Sequence, residues 1–210
     1  MDANQDTALL LEALSDKVLH QLPPAVWKDL FVGAERDSIR FERRRLTLVH
    51  AEAGVLPGEP GSLTESFYQD LQRLNGRHGG RLDPYVNATA LATFDDPGAA
   101  VRFALELQRA AQGVALRIGV ASGVCTLAFF RVQGRLWCTP LGTQPARAAD
   151  VAASADVGGI VISPETCDPT DFSVRLRADT HASLDFHDSE IDLSTLAIDA
   201  AIDGVDIVLA

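Results

Sequence analysis

The chain has 210 residues, of which 47% are apolar and 22% charged, and it carries a formal net charge of −11. That composition describes a folded globular protein of one ordinary domain with an appendage, or of two small ones. Its acidic balance argues against a nucleic-acid groove, which needs a basic surface, and no run of about 18 apolar residues is present to span a membrane as a helix.

Residues 6–22 read as an amphipathic helix, because Leu11, Leu14, Val18 and Leu22 recur at steps of three and four. Pro23-Pro24 stops it, and a second short helix over about 25–32 ends at Gly33. The first apolar stripe fits two roles. It packs onto its own domain, or it stays exposed as a dimer-forming or signal-transmitting helix. Arg36, Arg40, Arg43, Arg44 and Arg45 read as a solvated basic face, and a buried strand follows over 45–53 with Glu52 near its end. The turn cluster PGEPG (57–61) leads to Ser62, which can cap a helix over 63–76 with Glu65 at the capping-box position. Its apolar stripe is Leu63, Phe67, Leu71 and Leu74.

Short strands near 81–87 and 89–95 make a hairpin, and Asp95-Asp96-Pro97 opens a helix to about Gln112. Ala100, Phe103, Leu107 and Ala111 share one face of that helix. Residues 114–130 read as strand–turn–strand with Gly123 at the bend, 141–155 as a helix and 158–168 as a strand leading to a turn. The order β-α-β-β-α-β predicts an α+β fold with a ferredoxin-like core. Three regions follow: a helical lead-in over 1–42, the core over 43–167, and an acidic extension over 168–210. The extension holds ten Asp and Glu residues against Arg175 and Arg177, and it either solubilises the chain or occludes a groove.

Cys125, Cys138 and Cys167 show no CxxC spacing and read as reduced thiols, and the five histidines lack metal-pair spacing. The first residues lack the basic start of a secretory signal, so a cytoplasmic protein is expected.

Several segments resemble, in order and spacing, the motifs of class III adenylate/guanylate cyclase homology domains. They are RRRLTLVHAEAGVL (43–56), His78-Gly79-Gly80 with Ala92 and Phe94, Leu116 to Val120 with Ser122-Gly123, Gly142 to Val151, and Gly159 to Ser163. The resemblance covers roughly residues 23–167. It implies the nucleotidyl cyclase version of the ferredoxin-like fold, with N-terminal helices, and head-to-tail dimers in which each subunit lends residues to the site.

The resemblance also assigns positions. The two metal-holding carboxylates fall at Glu52 and Ala88, the base-reading lysine at Pro84, and the second base-reading group at Thr139. The transition-state asparagine and arginine fall at Ala146 and Asp150. Two-metal phosphoryl chemistry needs carboxylates on facing strand ends, and Ala88 offers no ligand atom. Asn87 has a neutral carbonyl oxygen, but a one-residue step along a strand turns it to the other face. Pro84 has no donor. Asp150 repels the phosphates that a cation there would stabilise, and Arg135 and Arg147, though near in sequence, project differently.

Glu52, Asn87 and Thr139 are left as a vestigial pocket. No catalytic residue, metal set or cofactor is expected, and Mg²⁺ or Mn²⁺ enters only if residual nucleotide binding persists. The leading expectation is an inactive cyclase homology domain acting as a dimeric regulatory module, pairing with itself or with another cyclase-type domain. The alternatives are a weak or atypical cyclase making cAMP or cGMP, and a nucleotide or small-ligand sensor. Arg77-His78-Gly79-Gly80 superficially resembles the turn of diguanylate cyclases, but Arg81-Leu82 stand where that motif needs acidic residues.

Overall fold

The computed structural model describes residues 3–53, 65–84, 89–111 and 116–166, together with the backbone of strands 172–176, 182–186, 189–191 and 207–209. Ser62, Leu63, Asn87, Ala88 and Cys167 lie outside the described residues, as do the side chains of the acidic extension.

Two helices, α1 (Ala3–Val18) and α2 (Pro24–Phe31), precede strand β1 (Arg40–Ala53). β1 starts five residues earlier than the hydrophobic pattern suggests, because its first part is an exposed basic strand. Arg44 there donates to Glu42 at 2.6 Å and to Asp95 at 3.3 Å. Helix α3 (Glu65–Arg77) leads to the hairpin of β2 (Arg81–Leu82) and β3 (Thr89–Phe94), and α4 (Pro97–Ala110) leads to β4 (Leu116–Val132). Then come β5 (Arg135–Leu141), α5 (Thr143–Ala153) and β6 (Ile160–Ile162). Strands β7 (Phe172–Leu176), β8 (Ala182–Phe186) and β9 (Ser189–Ile191) form a small sheet of their own, and β10 (Ile207–Leu209) adds to the main sheet beside β6.

β1 is central and antiparallel to both β3 and β4, with Val49 opposite Ala92 on one side and Val120 on the other. The order β4-β1-β3-β2 is that of a ferredoxin-like core, as the element order predicts. β6 extends the sheet parallel to the first half of β4, while β5 pairs with its second half.

Alternation along β1 divides the core. Val49 and Ala51 face α3 and α4, where Phe67, Leu71, Leu74, Phe94, Phe103 and Leu107 are buried together. Leu46 and Leu48 face the other way, toward Ala148 on α5. Asp96 caps α4 as the sequence suggests, accepting from the Gly98 and Ala99 amides at 2.9 and 3.1 Å. α5 lies directly on β4 at Gly119, where a β-carbon would sit 2.3 Å from the Ala152 nitrogen and 2.4 Å from the Ala148 oxygen.

One expectation fails, and one open choice is decided. Residues 116–132 are one 17-residue strand with no bend at Gly123. Gly123 is small because the Gln144 side chain lies 2.5 Å from where its β-carbon would be. The turn comes later, at Gln133 and Gly134, whose φ values of 50° and 79° make the tight reversal into β5. The α1 stripe, in turn, is not an exposed dimer face. Leu14 and Val18 are fully buried with Leu30 against Ala128, Phe130, Val132 and Leu141, so the helix is folded onto its own domain. Of the described thiols, Cys125 is buried, and burial pushes the Cys138 thiol up to about 11.

Candidate functional site

The hairpin β2–β3 ends in a buried carboxylate that the sequence did not single out. The Asp83 amide donates to the Leu91 carbonyl at 2.8 Å, which turns its side chain inward, where it is fully shielded from solvent. One carboxylate oxygen accepts from the Thr139 hydroxyl at 2.8 Å, and the other accepts from the Lys17 ammonium at 2.5 Å. Lys17 also donates to the Pro140 carbonyl at 2.9 Å. The trio ties α1, the end of β2 and β5 together. A desolvated carboxylate demands such partners, since burying one unpaired costs several kcal/mol or more.

Beside this corner is a cavity of about 320 Å³ between α3, the β2–β3 hairpin and β5. Tyr68, Leu71, Leu91 and Trp137 supply apolar wall, and Asp83 and Thr89 supply polar groups. Pro84 stands exposed at its rim and offers no donor. The Arg135 guanidinium lies 5.6 Å over the Trp137 ring.

Glu52 lies half-buried on β1 near the same end of the sheet, with the cavity-lining Thr89 opposite it on β3 and Arg117 opposite it on β4. His50 shares its strand face. Burial holds the His50 imidazole below its ordinary pKa, partly offset by the Glu52 charge. No group of three or more metal-ligating side chains occurs among the described residues.

Ala146 and Asp150 are exposed, on the side of α5 away from the buried Ala148 and Ala152. Arg147 is occupied by an ion pair with Glu165. The structure thus brings Thr139 into contact with Asp83, the neighbour of Pro84, and places Glu52 beside Thr89. It leaves Ala146 and Asp150 on the exposed side of α5. Lys17 and Asp83 were missed because 66 positions separate them. The one available signal was a lysine next to the apolar stripe position Val18, in a chain with two lysines.

No family model matches the sequence, and a search of curated proteins returns no match. Solved structures do match. The guanylyl cyclase Cya2 superposes with a TM-score of 0.54 at 18% identity, covering 71% of this chain and 89% of that one. The fold is that of nucleotidyl cyclase domains. The adenylyl cyclase CyaB from P. aeruginosa gives a TM-score of 0.51 at 20% identity, over 73% of this chain and 99% of that one. A bacterial light-regulated adenylyl cyclase gives 0.52 at 12% identity, over 95% of this chain and 70% of its own. At such identities the likeness is one of fold, and the site residues must carry the argument about activity.

Proposed function

We propose that this chain is a catalytically inactive cyclase-like domain that works as a dimeric regulatory module, pairing with itself or with another domain of the same fold. The observation that carries this reading is the buried corner. The Thr139 hydroxyl, at the position where the resemblance puts a base-reading group, is committed to Asp83, and Asp83 is neutralised from within by Lys17. Nothing at Pro84 donates, Asp150 brings a negative charge where a cation is needed, and the nearby Arg147 is held by Glu165. The outward placement of Ala146 and Asp150 supports pairing, because the resemblance implies a site to which each of two subunits lends residues.

A second reading, a small-ligand sensor without turnover, draws on the cavity beside Asp83, whose size suits a compact ring system. Turnover assays with ATP and GTP in Mg²⁺ or Mn²⁺ separate both readings from an active cyclase. Neither cAMP nor cGMP is expected above a Glu52→Ala control, and product well above that control would contradict the proposal. Light scattering across micromolar concentrations tests the pairing, and a mass that stays monomeric throughout would rule out the homodimer.

A further inference from the structure

We propose that α1 is a releasable latch on the cavity beside Asp83, fastened by the Lys17–Asp83 ion pair, so that undocking α1 loosens the cavity wall. This goes beyond the proposed function and holds whether or not the chain turns over nucleotide.

Two cavity-lining residues are also parts of the α1 docking site. Asp83 lines the cavity and is bound by Lys17 from α1. Trp137 lines the cavity and packs on the cluster that contains Leu14 and Val18 of α1. The position of α1 is therefore transmitted to the cavity by one charged contact and one aromatic one.

The docking itself is slender. Leu14 and Val18 are the fully buried apolar side chains that α1 contributes among the described residues, with Leu10 partly buried on the same cluster and Leu9 59% exposed. The sheet surface beneath keeps partial cover from α2, whose Leu30, Trp27 and Phe31 belong to the same cluster. α1 is tied to α2 by a hydrogen bond from Trp27 Nε1 to the Ser15 hydroxyl at 3.1 Å. A segment with few buried apolar contacts opens at lower free energy than a core strand. Here one ion pair in a dry setting supplies a large share of the hold, and its ammonium end, with 20% of the side chain exposed, can return to water.

Hydrogen exchange on the full-length protein tests the latch. Lys17→Met leaves the Asp83 carboxylate buried without its cation. It is expected to speed exchange of residues 3–18 roughly tenfold to a hundredfold, while β1 and β4 keep their protection. Adding Asp83→Asn removes the uncompensated charge and is expected to recover much of the α1 protection. Coupling to the cavity is read in a Trp27→Phe background, where acrylamide quenching reports Trp137 alone and is expected to rise when Lys17→Met is added. Unchanged exchange in residues 3–18 would overturn the latch. So would an equal rise across α1 and the sheet, which would make α1 an inseparable part of the core. Faster α1 exchange with unchanged Trp137 quenching would overturn the link to the cavity.

Discussion

Two carboxylates near the same end of the sheet, at the C-terminal ends of β2 and β1, are held in opposite ways. Around Asp83, three side chains from distant parts of the chain satisfy one another, with the carboxylate shielded from solvent. Around Glu52, a half-buried carboxylate faces Arg117 and Thr89 across the sheet, with a buried histidine two residues away. The difference teaches that a position-by-position reading finds what a site lacks and overlooks what fills it. Pro84 is a lost donor in sequence terms. In the fold, the ammonium group near that place is supplied by Lys17.

The contrast is easiest to break by truncating each carboxylate. Asp83→Ala leaves the Lys17 ammonium with only the Pro140 carbonyl and the buried Thr139 hydroxyl without its acceptor, and is expected to cost about 3–5 kcal/mol in denaturant unfolding. Glu52→Ala, at a partly exposed strand end, is expected to change stability by about 0.5 kcal/mol or less. Equal losses would erase the distinction between the two carboxylates. Gly119→Ala, on the neighbouring strand β4, forces a β-carbon into the backbone of α5 and is expected to cost about 2–3 kcal/mol. A neutral result would mean that α5 rides higher on the sheet than described here.

The smallest expected effect sharpens the account of the Glu52 surroundings. The folded pKa of His50 lies below its ordinary value of 6.5 because the imidazole is buried. As pH falls through 6.5 the unfolded chain takes the proton first, so stability is full above that pH and declines toward the folded pKa. The slope cannot exceed about 1.4 kcal/mol per pH unit, and His50→Gln should flatten it. Asp95, held low by Arg81, loses its contribution only below its ordinary 3.8, so the two windows separate. An unchanged profile in His50→Gln would assign the decline to another group.

Much of the fold was legible because it is written in local chemistry. Asp96-Pro97 caps α4, and Phe67, Leu71 and Leu74 mark the buried side of α3 at helical spacing. Strand alternation in β1 sorts Leu46 and Leu48 from Val49 and Ala51. What was illegible depends on packing at a distance. Gly123 looks like a bend because sequence cannot show Gln144 lying over it, and the α1 stripe does not say whose apolar surface it will meet. At the candidate site, Thr139 was found through the resemblance. Its partners Asp83 and Lys17 carried no motif.

The central claim is that Lys17 neutralises Asp83 inside the protein, and a double-mutant cycle measures that directly. Unfolding free energies of the wild type, Lys17→Met, Asp83→Asn and the double variant yield the coupling between the two side chains. The account predicts a coupling of about 2 kcal/mol or more, with the double variant more stable than the sum of the single losses implies. Losses that add to within about 0.5 kcal/mol would show that the two groups do not depend on each other, and would contradict it.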